Sequence, residues 1–361
     1  MGMPTINIAF KEKGISAIKR SERGIVALIL KEADLKKFAS TTITVYDATD
    51  IPVGLTAANK EQIQFALVGY VTSPKRVIVI LQDAADANYN KSLAILENTR
   101  FDYLVIPSIA ESEETVIATW IKAQRANDKD VKAVLPSCKA DTEGVINFTN
   151  TVIKTAAKEY TTADYCSRIA GIIAGTPMTI SCTYAPLTEV VSVDTYNKTE
   201  CDSKVDSGEL FIFFDGEKCK IARGVNSLVT TTDGKGEEFK KIKLVDLMDM
   251  IHDDIRKTAQ DNYLGKYANS YDNRCLLVAA IQGYFSGLEN DGLLEKGTSV
   301  VEIDIEATKT WLLSNGLYSK EQLAAMKDID IKKANIHDNV FISCDIKMLD
   351  AIESINIRIN I

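Results

Sequence analysis

Tyr103-Leu104-Val105-Ile106-Pro107 and, after a helical stretch, Val131-Lys132-Ala133-Val134-Leu135-Pro136 are the two runs that decide how this chain is read. Both are short, nearly continuous apolar runs, the pattern of strands covered on both faces, and each stops at a proline, which has no N–H to donate to a ladder. Between them, residues 112–126 carry apolar side chains at helical spacing around Trp120. A strand, a helix and a strand in this order make a crossover unit of a partly parallel sheet. Working upstream, the pattern predicts a strand over 24–31, a helix from Leu55-Thr56-Ala57-Ala58-Asn59 to residue 68, a strand over 76–81 and a helix over 84–96. Gly69 and Pro74 punctuate the gap. Downstream it predicts a strand over 146–148 and a helix over 162–173 whose Ala170, Gly171 and Ala174 permit close packing. Gly175 closes that helix and Pro177 prevents its continuation. Residues 209–215 and 218–223 read as a hairpin turning at Asp215-Gly216.

The last third has a different rhythm. After Asp233-Gly234-Lys235-Gly236-Glu237-Glu238, a flexible linker, residues 239–263 form the strongest helical signal in the chain. Ile242, Val245, Met248, Ile251 and Ile255 recur at helical spacing, while Asp246, Asp249 and Asp253 share another face. A helix over 272–288, a strand over 300–307, helical pieces at 311–313 and 320–326 and a strand over 340–349 complete a separate α+β unit. At the two ends, Ile6, Ile8 and Phe10 fall on one side of an extended segment, and Ile355, Ile357, Ile359 and Ile361 alternate with Asn356, Arg358 and Asn360. Both ends read as half-buried strands that need partners: each other, the chain's own sheet, or a neighbouring subunit. The fold class expected is α+β multidomain: a central α/β region with a mixed sheet, a C-terminal α+β domain, and extended N- and C-terminal β-strand arms.

Composition removes most functional classes. With 361 residues, 46% of them apolar, the chain is long enough for two or three domains. Lys+Arg number 42 against 50 Asp+Glu, a net charge of −8, and no basic cluster offers itself to a phosphate backbone, so no nucleic-acid partner is expected. No apolar run approaches a membrane span and the first twenty residues do not resemble a secretory signal, so a cytoplasmic protein without membrane insertion is expected. The seven cysteines are scattered without a C-x-x-C pair and read as buried free thiols. The two histidines, His252 and His337, read as a solvated helix residue and a turn residue. The glycines around Lys235 lack phosphate-loop spacing, and Glu113-Glu114, Glu237-Glu238 and Asp253-Asp254 are sequence neighbours rather than opposed carboxylates. No catalytic residue, metal site or cofactor is expected. An α/β enzyme, suggested by the alternating middle region and the Gly175-Thr176-Pro177 turn, is the rival class.

Four stretches, taken in order, carry a resemblance. Arg168-Ile169-Ala170-Gly171-Ile172-Ile173-Ala174-Gly175-Thr176-Pro177, Ala222-Arg223-Gly224-Val225-Asn226-Ser227-Leu228, Ile251-His252-Asp253-Asp254-Ile255-Arg256 and Asn269-Ser270-Tyr271-Asp272-Asn273 resemble the tail-sheath proteins of contractile phage tails. The likeness is greatest to the short sheaths of clostridial and other Gram-positive myophages and of R-type bacteriocins such as diffocin, and it covers nearly the whole chain. It implies a structural subunit that stacks as hexameric rings into a helical sleeve around a tail tube protein. Contraction of the sleeve drives the tube through a bacterial envelope, with baseplate and tail terminator proteins as further partners. It also implies assembly in the host cytoplasm and release on lysis as part of a phage tail or bacteriocin. Under it the chain divides into an N-terminal arm (1–20), a small α/β unit (21–90), an outward-facing α/β domain (91–235), an inner, tube-facing α+β domain (236–349) and a C-terminal arm (350–361). Thr5, Ile6, Asn7, Ile8 and Phe10, with Ile355, Ile357, Ile359 and Ile361, become intersubunit strand arms, Gly14 a hinge, and Asp246, Asp249 and Asp253 a contact to the tube. Another contractile injection particle is the second reading.

Overall fold

A computed structural model describes residues 17–360. Thr5, Ile6, Asn7, Ile8, Phe10, Gly14 and Ile361, assigned above to arms and hinge, lie outside the described residues. The chain divides into a larger unit, Ser21–Ile251 joined by the chain from Asp350, and a smaller one built on His252–Leu349.

In the larger unit the elements follow as β1 (Ile25–Glu32), β2 (Thr42–Val45), α1 (Ala57–Leu67), β3 (Arg76–Asp83), α2 (Asn90–Leu96), β4 (Tyr103–Val105) and α3 (Glu111–Ala126). Then come β5 (Lys132–Pro136), β6 (Val145–Phe148), β7 (Ile153–Thr155), β8 (Glu159–Tyr160), α4 (Thr162–Ala174) and β9 (Val190–Val193). The series closes with α5 (Lys198–Asp206), β10 (Glu209–Leu210), β11 (Ile212–Phe214), β12 (Cys219–Ile221) and the start of α6 (Ile242–Asn262). Among the described residues, seven strands form the main sheet in the order β10-β6-β5-β4-β1-β3-β2, parallel except for the edge strand β2. Continuous apolar strands demand cover on both faces, and they receive it. Val26, Leu28 and Leu30 of β1 pack with Ile63 and Ala66 of α1 and Ile169 and Ile173 of α4. Ile25, Ala27 and Ile29 pack with Leu93 of α2 and Ile117 and Ile121 of α3.

Helix packing explains the small residues of α4. A Cβ added at Gly171 would lie 2.6 Å from the Ala66 carbonyl oxygen and 2.7 Å from that of Phe65, so α4 crosses the end of α1 at backbone contact. Gly175 caps α4, and a Cβ there would stand 2.1 Å from the Thr72 oxygen.

The smaller unit contains α7 (Tyr271–Asn290), β13 (Val300–Ile303), α8 (Ile305–Ser314), α9 (Lys320–Ala325), α10 (Asp328–Lys333) and β14 (Ile342–Asp345). β13 and β14 form a two-stranded antiparallel sheet, and Leu312, Leu323, Ala334 and Ile336 make a small core.

Several expectations are corrected. No boundary exists at residue 90, because β1 pairs with β3 on one side and β4 on the other, which knits 21–90 and 91–235 into one sheet. The next boundary falls not at 235 but inside α6, whose first half belongs to the larger unit. The hairpin read from 209 is split: β10 joins the main sheet through β6, and only β11 pairs with β12. The strand over 300–307 stops at Ile303, because Asp304 accepts the Ala307 N–H at 2.8 Å and starts α8. The helix read from 84 begins at Asn90, after an Asx turn in which Asn88 accepts the Asn90 N–H. Of the cysteines, Cys138, Cys166, Cys182 and Cys219 are buried, but Cys201 and Cys275 are half-buried and Cys344 is exposed; all seven are free.

Candidate assembly interface

The acidic face of α6 is largely covered, most completely at Asp249. Asp249 is 3% exposed and takes a bidentate pair from Arg125, Nη2 to Oδ1 at 2.9 Å and Nη1 to Oδ2 at 3.1 Å. Lys132, whose side chain is 1% exposed although it sits in β5, pairs with Asp249 and reaches Asp246 at 3.0 Å. The Tyr103 hydroxyl donates to Asp246 at 2.6 Å, and Arg23 donates to the Asp249 carbonyl at 2.6 Å. Burial alone would raise the Asp249 pKa, but Lys132 and Arg125 outweigh it and hold the carboxyl below its ordinary value. Burial likewise works to lower the Lys132 pKa, and Asp249 and Asp246 together push it up. Asp253, in the smaller unit, is half-buried and pairs with Arg256 at 2.8 Å. Asp246 and Asp249 are thus corrected from a tube contact to the ionic root of α6. A carboxylate at this position finds cations already in place, and they hold it in the interior.

The rival ligand turn is also accounted for. Gly175-Thr176-Pro177 sits at the carboxyl end of α4, where the helix dipole is negative and repels phosphate. The other natural locus is the crevice between β1 and β4, whose following helices α1 and α3 lie on opposite faces. There Glu32, 6% exposed, accepts from Thr56 N at 3.2 Å and from Asn59 Nδ2 at 2.8 Å. The chain's own carboxylate fills the anion position at the start of α1.

The four quoted stretches are structural stitches. Arg168 donates to the carbonyls of Val68 and Gly69 and pairs with Glu189 at 2.6 Å. Asn226 bonds the Phe239 carbonyl at 2.7 Å, and Ser227 donates to the Thr142 carbonyl at 2.9 Å. Buried Asp254 accepts from Tyr284 at 2.8 Å. Asn269 holds the carbonyls of His337 and Asn339 at 2.7 Å each, while Ser270 caps α7. His252 and His337 are exposed, the latter in a turn with φ of 54°.

A closely spaced run of exposed isoleucines lies in the tail of the chain. From Asp350, which pairs with Lys241, the chain runs along the larger unit to Glu353. The Glu353 side chain is 9% exposed and accepts from Ser181 Oγ at 3.0 Å, Thr183 Oγ1 at 2.6 Å and Arg223 Nε at 3.0 Å. On either side the pattern inverts: Ile352 is 86% exposed, and Ile355, Ile357 and Ile359 are 74, 79 and 81% exposed. No strand pairing covers them among the described residues, so the expected half-buried strand is corrected to an uncovered one. Sequence reading found these isoleucines but missed Glu353 and its three donors. Arg223-Gly224 was in view as a motif, yet nothing local says that its partner lies at residue 353.

Comparison with known proteins now bears on this arrangement. Residues 82–227 match the phage tail sheath protein central domain, and residues 234–361 match the phage tail sheath C-terminal domain. The tail sheath protein of Clostridium phage phiCD119 is 41% identical over 363 residues, covering 99% of each chain. The chain belongs to the phage tail sheath protein family. Its fold is shared by the sheath tail protein of Desulfitobacterium hafniense, with a TM-score of 0.68 at 19% identity, over 83% of this sheath chain and 94% of that one. The anti-feeding prophage helical sheath in its contracted state gives a TM-score of 0.71 at 14% identity, over 100% and 99% of the two chains. No helix among the described residues of this sheath subunit is long and apolar enough to cross a membrane.

Proposed function

We propose that this sheath subunit polymerises as stacked hexameric rings around an inner tail tube and contracts to drive the tube through a bacterial envelope. The observation that carries the reading is the row of isoleucines at 355, 357 and 359, each about three-quarters or more exposed on a tail whose root is fixed. A single chain that presents alternating apolar residues without a sheet to cover them is built to be covered by another copy. The amino-terminal segment Thr5-Ile6-Asn7-Ile8-Ala9-Phe10 is the second arm, with Gly14 as its hinge. A free sheet edge is the natural receiver. Among the described residues no strand pairs with the outer edge of β14, whereas the Val301 N–H of β13 is held by Gln282 at 3.1 Å and β11 and β12 are bonded outward by Asn150 and by residues 185–187.

Strand addition keeps subunits connected through main-chain hydrogen bonds while whole subunits move as rigid bodies, so contraction needs no nucleotide. In this reading the role is structural, with no catalytic residue, cofactor or resident metal. Baseplate and terminator proteins bound the sleeve. Assembly takes place in the host cytoplasm. A sheath of another contractile injection particle is the second reading, favoured by the whole-chain likeness to the anti-feeding prophage sheath.

Negative-stain electron microscopy with sedimentation, on the chain co-expressed with its tube protein, tests the proposal. The full chain forms sleeves and a chain ending at residue 354 remains a folded monomer. Sleeves from the truncated chain would overturn the arm.

A further inference from the structure

We propose that Ser181, Thr183 and Arg223 form a dedicated carboxylate clasp that fixes the root of the C-terminal arm at Glu353. The clasp sets the arm's free length and delivers load on the arm to the larger unit. This rests on the arm reading above and says where the arm begins.

Both carboxylate oxygens of Glu353 are engaged. Oε1 accepts from the two hydroxyls and Oε2 from the guanidinium Nε, at 2.6 to 3.0 Å. Charge-assisted bonds of this kind are roughly twice as strong as neutral ones. The hydroxyls are oriented in advance: Thr183 Oγ1 accepts the Gly224 N–H at 2.9 Å and Ser181 Oγ accepts the Thr183 N–H at 3.1 Å. The two hydroxyls also lie within hydrogen-bond distance of each other, at 2.8 Å, so the pair, the backbone donors and the carboxylate form one network. Gly224 is required by space, since a Cβ there would stand 2.9 Å from Cys182 Sγ and 3.1 Å from Ser181 Oγ. A side chain at 224 would press on the side chains of Cys182 and Ser181 and force them to shift.

The contrast with the flanking residues identifies the purpose. An arm held to its own body by the hydrophobic effect would cover Ile352 and Ile355 and expose Glu353; here the acid's side chain is 9% exposed and the isoleucines are 86% and 74% exposed. The body therefore grips the arm by a polar contact and leaves its whole apolar repertoire for a partner. A directional grip also resists sliding, because a carboxylate moved by one residue loses all three donors together. If Glu353 lets go, the next tie is Lys241 to Asp350. The three residues released add about 10 Å of reach, taking ~3.3–3.6 Å per residue. That is enough slack to change how tightly copies are held.

Glu353→Ala, Thr183→Val and Arg223→Ala test the clasp with two readouts. In the unassembled full-length chain, isoleucine-methyl relaxation reports the local grip. The Ile352 methyl loses order in all three variants, approaching the values of Ile357 and Ile359, while the buried Ile29 methyl is unchanged and certifies folding. Ile352 order equal to wild type in Glu353→Ala overturns the clasp. In assembly with the tube protein, Glu353→Ala lowers the yield of sleeves at least tenfold, with Glu353→Gln in between because it keeps one acceptor oxygen. A wild-type yield from Glu353→Ala also overturns the proposal. Failure of the arm reading looks different: the chain ending at residue 354 then forms sleeves, while the methyl readout still judges the clasp in the unassembled chain.

Discussion

The root of α6 and the C-terminal arm carry opposite chemistry in the places where the other would be expected. At the root, Asp249 and Lys132 are 3% and 1% exposed, held by each other, Arg125 and Asp246. Along the arm, Ile355, Ile357 and Ile359 stand in solvent. Charge goes inside when cations and anions meet in fixed geometry with their hydrogen bonds satisfied, and apolar side chains stay outside when the surface that covers them belongs to another molecule. The first region is finished within one chain, and the proposed function leaves the second to be covered by another copy. Mutation should therefore separate them: changes at the root damage the folded subunit, and changes along the arm damage only assembly.

The largest effect on stability is expected at Asp249. Asp249→Ala leaves Lys132 and Arg125 buried without their shared carboxylate, and removing one partner of a buried pair costs about 3–5 kcal/mol. Urea denaturation of the unassembled chain measures it, and a loss below ~1 kcal/mol would show that the cluster is relieved by solvent. The sign with pH follows from the depressed Asp249 value. Its contribution is complete above the unfolded pKa of about 3.9 and is lost as pH falls through the lower folded value. The stability gap between wild type and Asp249→Asn should therefore be wide at neutral pH and narrow below ~pH 3.9.

A smaller effect is expected where α4 meets α1. The methyl of Gly171→Ala would press on two carbonyl oxygens at 2.6 and 2.7 Å, and overpacking of this kind costs about 1–3 kcal/mol. Gly287, on the exposed side of α7 with open space around its Cβ position, supplies the control. Alanine there should stabilise by up to ~1 kcal/mol through helix propensity. Thermal melts of the two variants should move in opposite directions.

Both periodicities were legible in the sequence, and so was the sheet. Proline-closed apolar runs located β4 and β5, and Ala170, Gly171 and Ala174 pointed to the close crossing of α4. What spacing cannot say is which side of a face is covered. Asp246 and Asp249 share a face of α6, but their cover comes from Arg125 and Lys132, more than a hundred residues away. Lys132, a lone cation inside Val131-Lys132-Ala133-Val134-Leu135, was the local sign that a buried acid had to answer it. Glu353 had no such sign, because an acid beside an exposed isoleucine looks like any surface pair until the fold brings Arg223 to it. Thr42-Ile43-Thr44-Val45 shows the same limit at the sheet edge: β2 has a strand's alternation over only four residues, and its pairing with β3 fixes it.

The smallest effect on stability is expected at the arm, and it is the most informative about the contrast. Replacing Ile355, Ile357 and Ile359 together by Ser removes three side chains that bury little in the single chain, so the urea midpoint of the unassembled subunit should move by no more than ~0.5 kcal/mol equivalent. The same triple variant should fail to sediment as sleeves with the tube protein, because the apolar face it erases is the one another copy would cover. A large loss of monomer stability would mean that the isoleucines are already packed within their own chain. Sleeves formed at the wild-type yield would mean that the cover they await contributes nothing to assembly. Only a stable subunit that does not polymerise keeps the two regions in the roles assigned to them, one closing the fold and the other leaving it open to the next copy.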